Sequence, residues 1–283
     1  MTETSETETT AEASRTVDAS ATNGGDRYDV LVVGGGVAGL CAATFTARAG
    51  LDTVVVDDGG SIVKRNAHLE NVPGFPAGVN SRLFCEMQRE QARRSGCEFV
   101  DGRVTGLRRV DDGGFRAEIG SGGDDSKDGK ADSVDADSEL EATYVVAASW
   151  SDTSYLDGVG VDLRVAGSKT YVGDDGLGRT NVDGLYAAGR LTERYHQAVV
   201  AAGHGAQTAI TLVHDSETPF YNDWIAPEGY FTDRGREVPP GCEEIDETER
   251  KRRERESLET MRSFFTEPHP DPQPTHPSLV DDE

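Results

Sequence analysis

No two of the four cysteines, Cys41, Cys85, Cys97 and Cys242, stand in a C-x-x-C arrangement. Thiol–disulfide exchange needs a resolving thiol beside the attacking one, so the spacing offers no local redox pair. Lysine is scarce, with five residues among 28 basic ones, and these face 52 acidic residues for a net charge of −24. Nucleic acid is bound through clustered positive charge, so direct binding to it is not expected. No run of 18 apolar residues is present to span a membrane. No secretory leader is read at the N-terminus, and the expectation is a cytoplasmic protein with reduced thiols. No His, Cys, Asp or Glu cluster has metal-ligand spacing, and no Ser-His-Asp set can be assembled. The acidic excess is of the halophilic type, because salt screening shortens the self-repulsion that such charge creates. An ordinary acidic protein with acidic ends is the alternative.

The 283 residues allow one substantial domain or two small ones. Residues 1–26 are polar, Thr/Glu-rich and aperiodic, and are expected to be a disordered acidic tail. Residues 27–215 are read as one α/β domain, interrupted by a low-complexity loop at 120–139. Residues 216–283 form a C-terminal extension, helical near 243–265 and disordered at its proline-rich end. In that helix Asp246–Arg250, Glu247–Lys251 and Glu249–Arg253 are spaced as i,i+4 pairs. The run RKRRER at 250–255 is read with its flanking glutamates as a solvated face.

The chemistry begins at YDVLVVGGGVAG, residues 28–39. A short apolar strand runs into Gly34-Gly35-Gly36-Val37-Ala38-Gly39, a G-x-G-x-x-G opening a helix from about Val37 to Ala49. Gly34 permits the tight turn, Gly36 lets a pyrophosphate approach the backbone, and Gly39 lets helix and strand pack closely. The helix N-terminus offers N–H groups and a positive dipole end to phosphates. A second strand, DTVVVDD, ends in Asp57 and Asp58, placed to bond a ribose. This strand–helix–strand order asks for a parallel pair with a right-handed crossover. The first corner alone fits FAD and NAD equally.

Further on, SRLFCEMQREQARRS at 81–95 reads as a helix capped by Ser81, and CEFVDGRVTGLRRV with GFRAEIG as an antiparallel meander. Residues 184–203, GLYAAGRLTERYHQAVVAAG, repeat the strand–glycine–helix theme. A helix starting near His196, with Gln197-Ala198 at its head, presents N–H groups and a positive dipole end of its own. His68 and His196 are candidates for the pocket wall, whereas His204 and His214 are read as helix-face residues.

Three stretches, VVGGGVAGL, ENVPGFPAGV at 70–79 and GLYAAG followed by QAVVAAG, resemble the thioredoxin reductase-like flavoproteins, class II pyridine nucleotide-disulfide oxidoreductases. The resemblance covers about residues 28–215 and only the FAD half of that family. It implies a doubly wound Rossmann-like FAD domain with a three-layer ββα sandwich. It further implies that Gly34, Gly36, Ala38 and Gly39 hold the pyrophosphate and that Asp57 takes the adenosine ribose, with Val37 and Asp58 beside them as further cofactor-binding candidates. Gly60 would then pass near the ribose and phosphates, Asn71 would sit near the flavin ring, and Val104 would offer backbone bonds to adenine. Gln197 and Ala198 would meet the flavin's pyrimidine edge.

Three departures qualify the resemblance. The family's inserted NAD(P)H domain has no counterpart, since VVAASWSDTSYL at 145–156 leads almost directly to GRTNVDGLYAAG. Its C-x-x-C lies in that domain and has no substitute, so conventional thioredoxin reduction is not expected. Arg190 stands where the family has an aspartate beside the ribityl chain, which exchanges an acceptor for five donors. An arginine there can instead reach a phosphate oxygen. The familiar A-T-G is also altered, to Ala147-Ala148-Ser149-Trp150. The expectation is an FAD flavoprotein oxidoreductase, with a redox partner protein at an exposed flavin face and a homodimer as partner states. A non-catalytic dinucleotide-binding or regulatory protein is the alternative.

Overall fold

Valine-rich β1 (Tyr28–Val33) feeds α1 (Val37–Arg48), and the chain returns parallel to β1 as β2 (Thr53–Asp57). The computed structural model describes residues 27–120 and 138–275. The expected tail at 1–26, most of the loop at 120–139 and, of the expected disordered last eighteen or so residues, 276–283 lie outside the described residues. Next come α2 (Ser81–Arg94), β3 (Glu98–Asp101), β4 (Arg103–Arg109), β5 (Phe115–Gly120) and β6 (Ser138–Ala147). A hairpin of β7 (Leu163–Ala166) and β8 (Lys169–Val172) precedes β9 (Leu185–Ala187) and α3 (Ala198–Asp215). The C-terminal segment holds β10 (Trp224–Pro227), β11 (Cys242–Ile245) and α4 (Glu247–Phe264).

The main sheet runs β3-β2-β1-β6-β5-β4, with β9 also pairing with β6. β3, β2, β1, β6 and β9 are mutually parallel, and β4, β5 and the first half of β6 form the antiparallel part. Side chains alternate across a strand, which sorts the valines into two cores. Val30, Val32 and Val55 face the helices with Ala42, Ala43, Ala209 and Leu212. Leu31, Val33, Val54 and Val56 face the meander with Val104, Phe115, Ile119, Tyr155 and Leu156. Helices, parallel sheet and meander thus form the three layers of a doubly wound α/β fold. Strand ends of β1, β2 and β6 point their C-terminal edges toward one side, where such folds bind ligands.

Three local expectations are corrected. The strand at Glu98–Asp101 pairs parallel with β2 at the sheet edge, so the meander is β4-β5-β6. Alternating hydrophobicity does not tell those two arrangements apart. The cap of α2 is Asn80, whose side chain accepts from the N–H groups of Arg82 and Leu83. Ser81 is buried instead, and its hydroxyl donates to the Asn66 carbonyl. In α4, Asp246 is the N-cap, accepting from Glu249 N–H at 2.7 Å, and Arg250 pairs with Glu254 and Glu247. The other two anticipated pairs form, Lys251–Glu247 at 2.8 Å and Arg253–Glu249 at 2.7 Å.

No residue of α4 is buried, as its charge pattern anticipates. The segment is fastened to the body by Arg48–Asp223 and Arg94–Glu256 and by His269 against Glu86. Phe264 packs against the cluster of Val37, Leu69, Val79, Leu83 and Phe84. No helix among the described residues is long and apolar enough to cross a membrane.

Candidate functional site

At the C-terminal edge of β1 the backbone must turn sharply while staying close to its neighbours. Gly34 takes φ +102°, and a Cβ there would press on the Ala148 carbonyl. A Cβ on Gly39 would overlap the Gly34 carbonyl oxygen, so only glycine lets α1 approach β1 this closely. At Gly36 the situation is opposite. An added Cβ would meet nothing nearer than the Ser61 hydroxyl at 3.8 Å, because the space beside it is the mouth of a cleft. Gly36 is the N-cap of α1, no side chain caps that end, and its first turn holds no acidic residue. The first N–H groups of α1 are therefore left for a ligand.

Asp57 closes β2 beside this turn. Its Oδ1 accepts from Gly35 N–H at 2.9 Å, and its Oδ2 lies 3.6 Å from Arg89 Nη1. A carboxylate has about four acceptor sites, so these two partners fix its orientation and leave capacity for a hydroxyl. Asp58 folds back on its own loop and accepts from Gly60 N–H at 2.9 Å.

The second corner lies across the cleft. β9 ends at Ala187, the chain turns at Gly189 with φ +68°, and α3 begins after Gln197, again without a side-chain cap. Asn71 Nδ2 donates to Gln197 Oε1 at 2.7 Å, joining residues 126 apart in sequence. Gly205 sits so close to the Ala38 carbonyl that a Cβ would overlap it, and this contact locks α3 against the head of α1. Between the corners, Trp150 packs against His196 with ring centroids 4.6 Å apart and the planes tilted by 55°. Trp150 has φ +64°, the only non-glycine residue with positive φ among the described residues. A bulky residue in that region is strained, and such strain gathers at functional sites. Desolvation, and then the positive charges of Arg190 and Lys169, hold the His196 pKa below its ordinary value.

The two corners open on one cleft of about 1060 Å³. This is at the upper end of the range for ligand pockets, and ample for a dinucleotide. Gly34, Gly36, Val37, Ala38, Asp57, Asp58, Gly60, Asn71, Val104, Arg190, Gln197 and Ala198 all line it. Gly39 lies behind the wall, where it serves the packing of α1. His68, paired with Glu70 at 2.7 Å, lines the cleft as well.

Sequence reasoning missed a buried charge cluster under the second corner. His204 Nδ1 accepts the Gly189 N–H at 3.0 Å, and its Nε2 faces Asp174 Oδ2 at 3.6 Å and Arg194 Nη2 at 3.3 Å. Arg194 in turn bonds Asp174 at 2.7 Å. Burial first, and the Arg194 charge second, lower the His204 pKa against the pull of Asp174. The signal was present, since His204 shares a helical face with Gly205, Thr208, Thr211 and Leu212, all buried. All four cysteines are free thiols. Cys41, Cys85 and Cys97 have pKa values raised by burial, Cys97 to about 12, the opposite of what a reactive thiolate requires.

Residues 29–67 match the FAD binding domain family. The chain is 42% identical over 81 residues to the thioredoxin reductase of Aquifex aeolicus (strain VF5), covering 27% of this chain and 24% of that protein. It thus matches about a quarter of the length of that curated relative. In fold it resembles the crystal structure of T. acidophilum thioredoxin reductase, with TM-score 0.55 and 16% identity over 67% of this chain and 98% of that one. An atypical thioredoxin reductase from Desulfovibrio vulgaris Hildenborough gives TM-score 0.51 and 21% identity, over 69% of this chain and 100% of the other.

Proposed function

We infer that this chain, thioredoxin reductase-like in fold and FAD-binding in its first corner, is a flavoprotein oxidoreductase that works through its flavin alone. The carrying observation is the pair of uncapped helix heads, α1 and α3, that open on one dinucleotide-sized cleft. The residues present fit FAD. The space beside Gly36 admits a pyrophosphate to the N–H groups of α1, and the fixed Asp57 carboxylate offers an acceptor to a ribose hydroxyl. Asn71 and Gln197, bonded to each other, hold the head of α3 toward the polar edge of the ring. Trp150 and His196, their rings tilted against each other, line that end of the cleft. When bound, the flavin supplies hydride and single-electron transfer, and the chain supplies position and field.

What the chain lacks narrows the activity. Its thiols do not pair, and the three whose pKa values are raised by burial are unsuited to disulfide exchange. The hairpin and short turns at residues 148–184, between β6 and β9, support a reading without an inserted second nucleotide domain. Electrons therefore enter and leave through a separate donor and acceptor, a partner protein or a small molecule reaching the open side of the cleft. A homodimer is compatible with this scheme. The second reading is a binding or regulatory protein that holds FAD without turnover, favoured by the acceptor-to-donor change at Arg190.

The test is the absorption spectrum of the protein purified in high salt, with chemical identification of the released cofactor. Bound flavin would then be reduced with dithionite and reoxidised with ferricyanide or oxygen. Stoichiometric FAD that cycles supports the oxidoreductase. FAD that is held yet resists both reagents moves the assignment to the second reading. A colourless protein that takes up no added FAD removes both.

A further inference from the structure

Arg190 follows Gly189 in the short turn after β9 and lines the cleft. Its guanidinium is braced from one side. Nη2 donates to the Tyr171 hydroxyl at 2.6 Å, and the guanidinium carbon lies 4.7 Å from the centre of the same ring. Tyr171 is buried in β8, so the brace is rigid. The other terminal nitrogen, Nη1, is shielded from solvent and has no hydrogen-bond partner. A cationic donor out of water without an acceptor is costly, so the arrangement calls for an acceptor.

None comes from the described residues. Glu193, three residues on, is bonded to Arg164, and Asp174 is bonded to Arg194. The surroundings agree in sign. The charges acting on neighbouring His196 are those of Arg190 and Lys169, both positive.

We propose that Arg190 clamps the pyrophosphate of the bound dinucleotide, with Tyr171 as its positioning residue. The proposal rests on the FAD reading above. Oxidised isoalloxazine is neutral, whereas the pyrophosphate carries full negative charge, so a desolvated cation gains most from the phosphate. A guanidinium presents its donors as a planar fork. Tyr171 takes one arm, and the other is left for a charge-assisted bond to a phosphate oxygen. The α1 head and Arg190 then hold the anion from the two corners of one cleft. A lysine at 190 would keep the charge but could not be braced this way.

The experiment is equilibrium binding of FAD, FMN and riboflavin to the full chain freed of flavin, at moderate and at high salt. Wild type is compared with Arg190→Gln, Arg190→Lys and Tyr171→Phe, each checked for an unchanged melting transition without ligand. Arg190→Gln should weaken FAD about 10- to 100-fold, leave riboflavin unchanged and flatten the salt dependence. Arg190→Lys should fall between the two with the wild-type salt dependence. Tyr171→Phe should weaken FAD a few-fold while keeping that dependence, which loss of fold would not do. If the glutamine variant holds FAD within twofold of wild type, or loses riboflavin equally, the clamp is wrong. Should Arg190→Gln not fold, the lysine and phenylalanine variants decide by the same criteria. Wild-type protein that binds no flavin at all sinks the FAD reading, a result separable from either of these.

Discussion

The two corners of the cleft meet the same backbone requirement by different means. At the first, a strand turns into a helix through Gly34, Gly36 and Gly39, and the partners are backbone groups a few residues away or the Asp57 carboxylate at the end of the next strand. At the second, the turn at Gly189 is held by side chains from distant places: His204 on α3, Asp174 before β9 and Tyr171 on β8. The first corner is shaped by the absence of side chains, and the second by a buried polar network. A corner of the first kind fails when atoms are added. One of the second kind fails when protonation or partners change.

The largest test of that contrast is Gly36→Val. The Gly36 backbone is extended, at φ −77° and ψ −178°, and its Cβ would point into the cleft with only Ser61 at 3.8 Å. Valine should therefore fold normally yet fill the phosphate approach. We expect FAD affinity to fall by about 1000-fold or more, roughly 4 kcal/mol, with an unchanged melting temperature. A variant that keeps FAD would show that the pyrophosphate does not pass this point.

Glycines that face the protein should behave in the reverse way. Gly39→Ala and Gly205→Ala each drive a Cβ into a backbone carbonyl, of Gly34 and Ala38 respectively. Overpacking of this kind costs about 1–3 kcal/mol or more, so both should lower the melting temperature of the flavin-free protein by several degrees. If thermal melts show Gly205→Ala to be as stable as wild type, α3 and α1 are not locked together at the cleft.

These positions also show what a sequence can reveal. The fingerprint glycines, Asp57 and the head of α3 were legible because the chemistry of each sits within about twenty residues of chain and follows from spacing. The cap of α2 and the pairing of β3 were misread, since Asn80 and Ser81 are both good caps and a parallel edge strand alternates like a meander strand. His204 was legible only as a helix-face residue. Its burial depends on which face of α3 meets α1, and Asp174 and Arg194 reach it from segments that no local pattern connects. The same is true of the Tyr171 brace on Arg190, which comes from a hairpin that the sequence did not announce.

The network at the second corner gives that region a pH dependence the first should lack. His204 is buried and accepts the Gly189 N–H through Nδ1, so it must be neutral in the fold, and its pKa lies below the ordinary value of about 6.5. A lowered pKa means that the folded protein binds fewer protons than the unfolded chain in this window. The stability contribution is complete above about pH 6.5 and is lost as pH falls through the folded value, by at most about 1.4 kcal/mol per pH unit for one group. Exposed His196, also lowered, adds in the same direction. Depressed carboxylates such as Glu90, at about 2, act only at lower pH. Denaturant melts between pH 7.5 and 5 should show His204→Asn losing part of this slope, because its side-chain oxygen can take the Gly189 N–H without titrating. An unchanged slope would place the proton uptake elsewhere.

The smallest expected effect concerns the bridge between the ENVPGFP loop and the head of α3. Asn71 and Gln197 are exposed, and their 2.7 Å bond contributes little to a fold that solvent can satisfy equally well. Asn71→Ala and Gln197→Ala should leave the melting temperature unchanged and weaken FAD only several-fold each. The informative quantity is their coupling. If the two side chains act on the ring as one positioned pair, the double variant should lose little more than either single one, whereas independent contacts would add. Binding titrations of the four proteins separate the cases. Coupling would mean that even the exposed rim of the second corner works through side-chain partnership, as its buried part does, while additivity would confine the network to the charged cluster beneath Gly189.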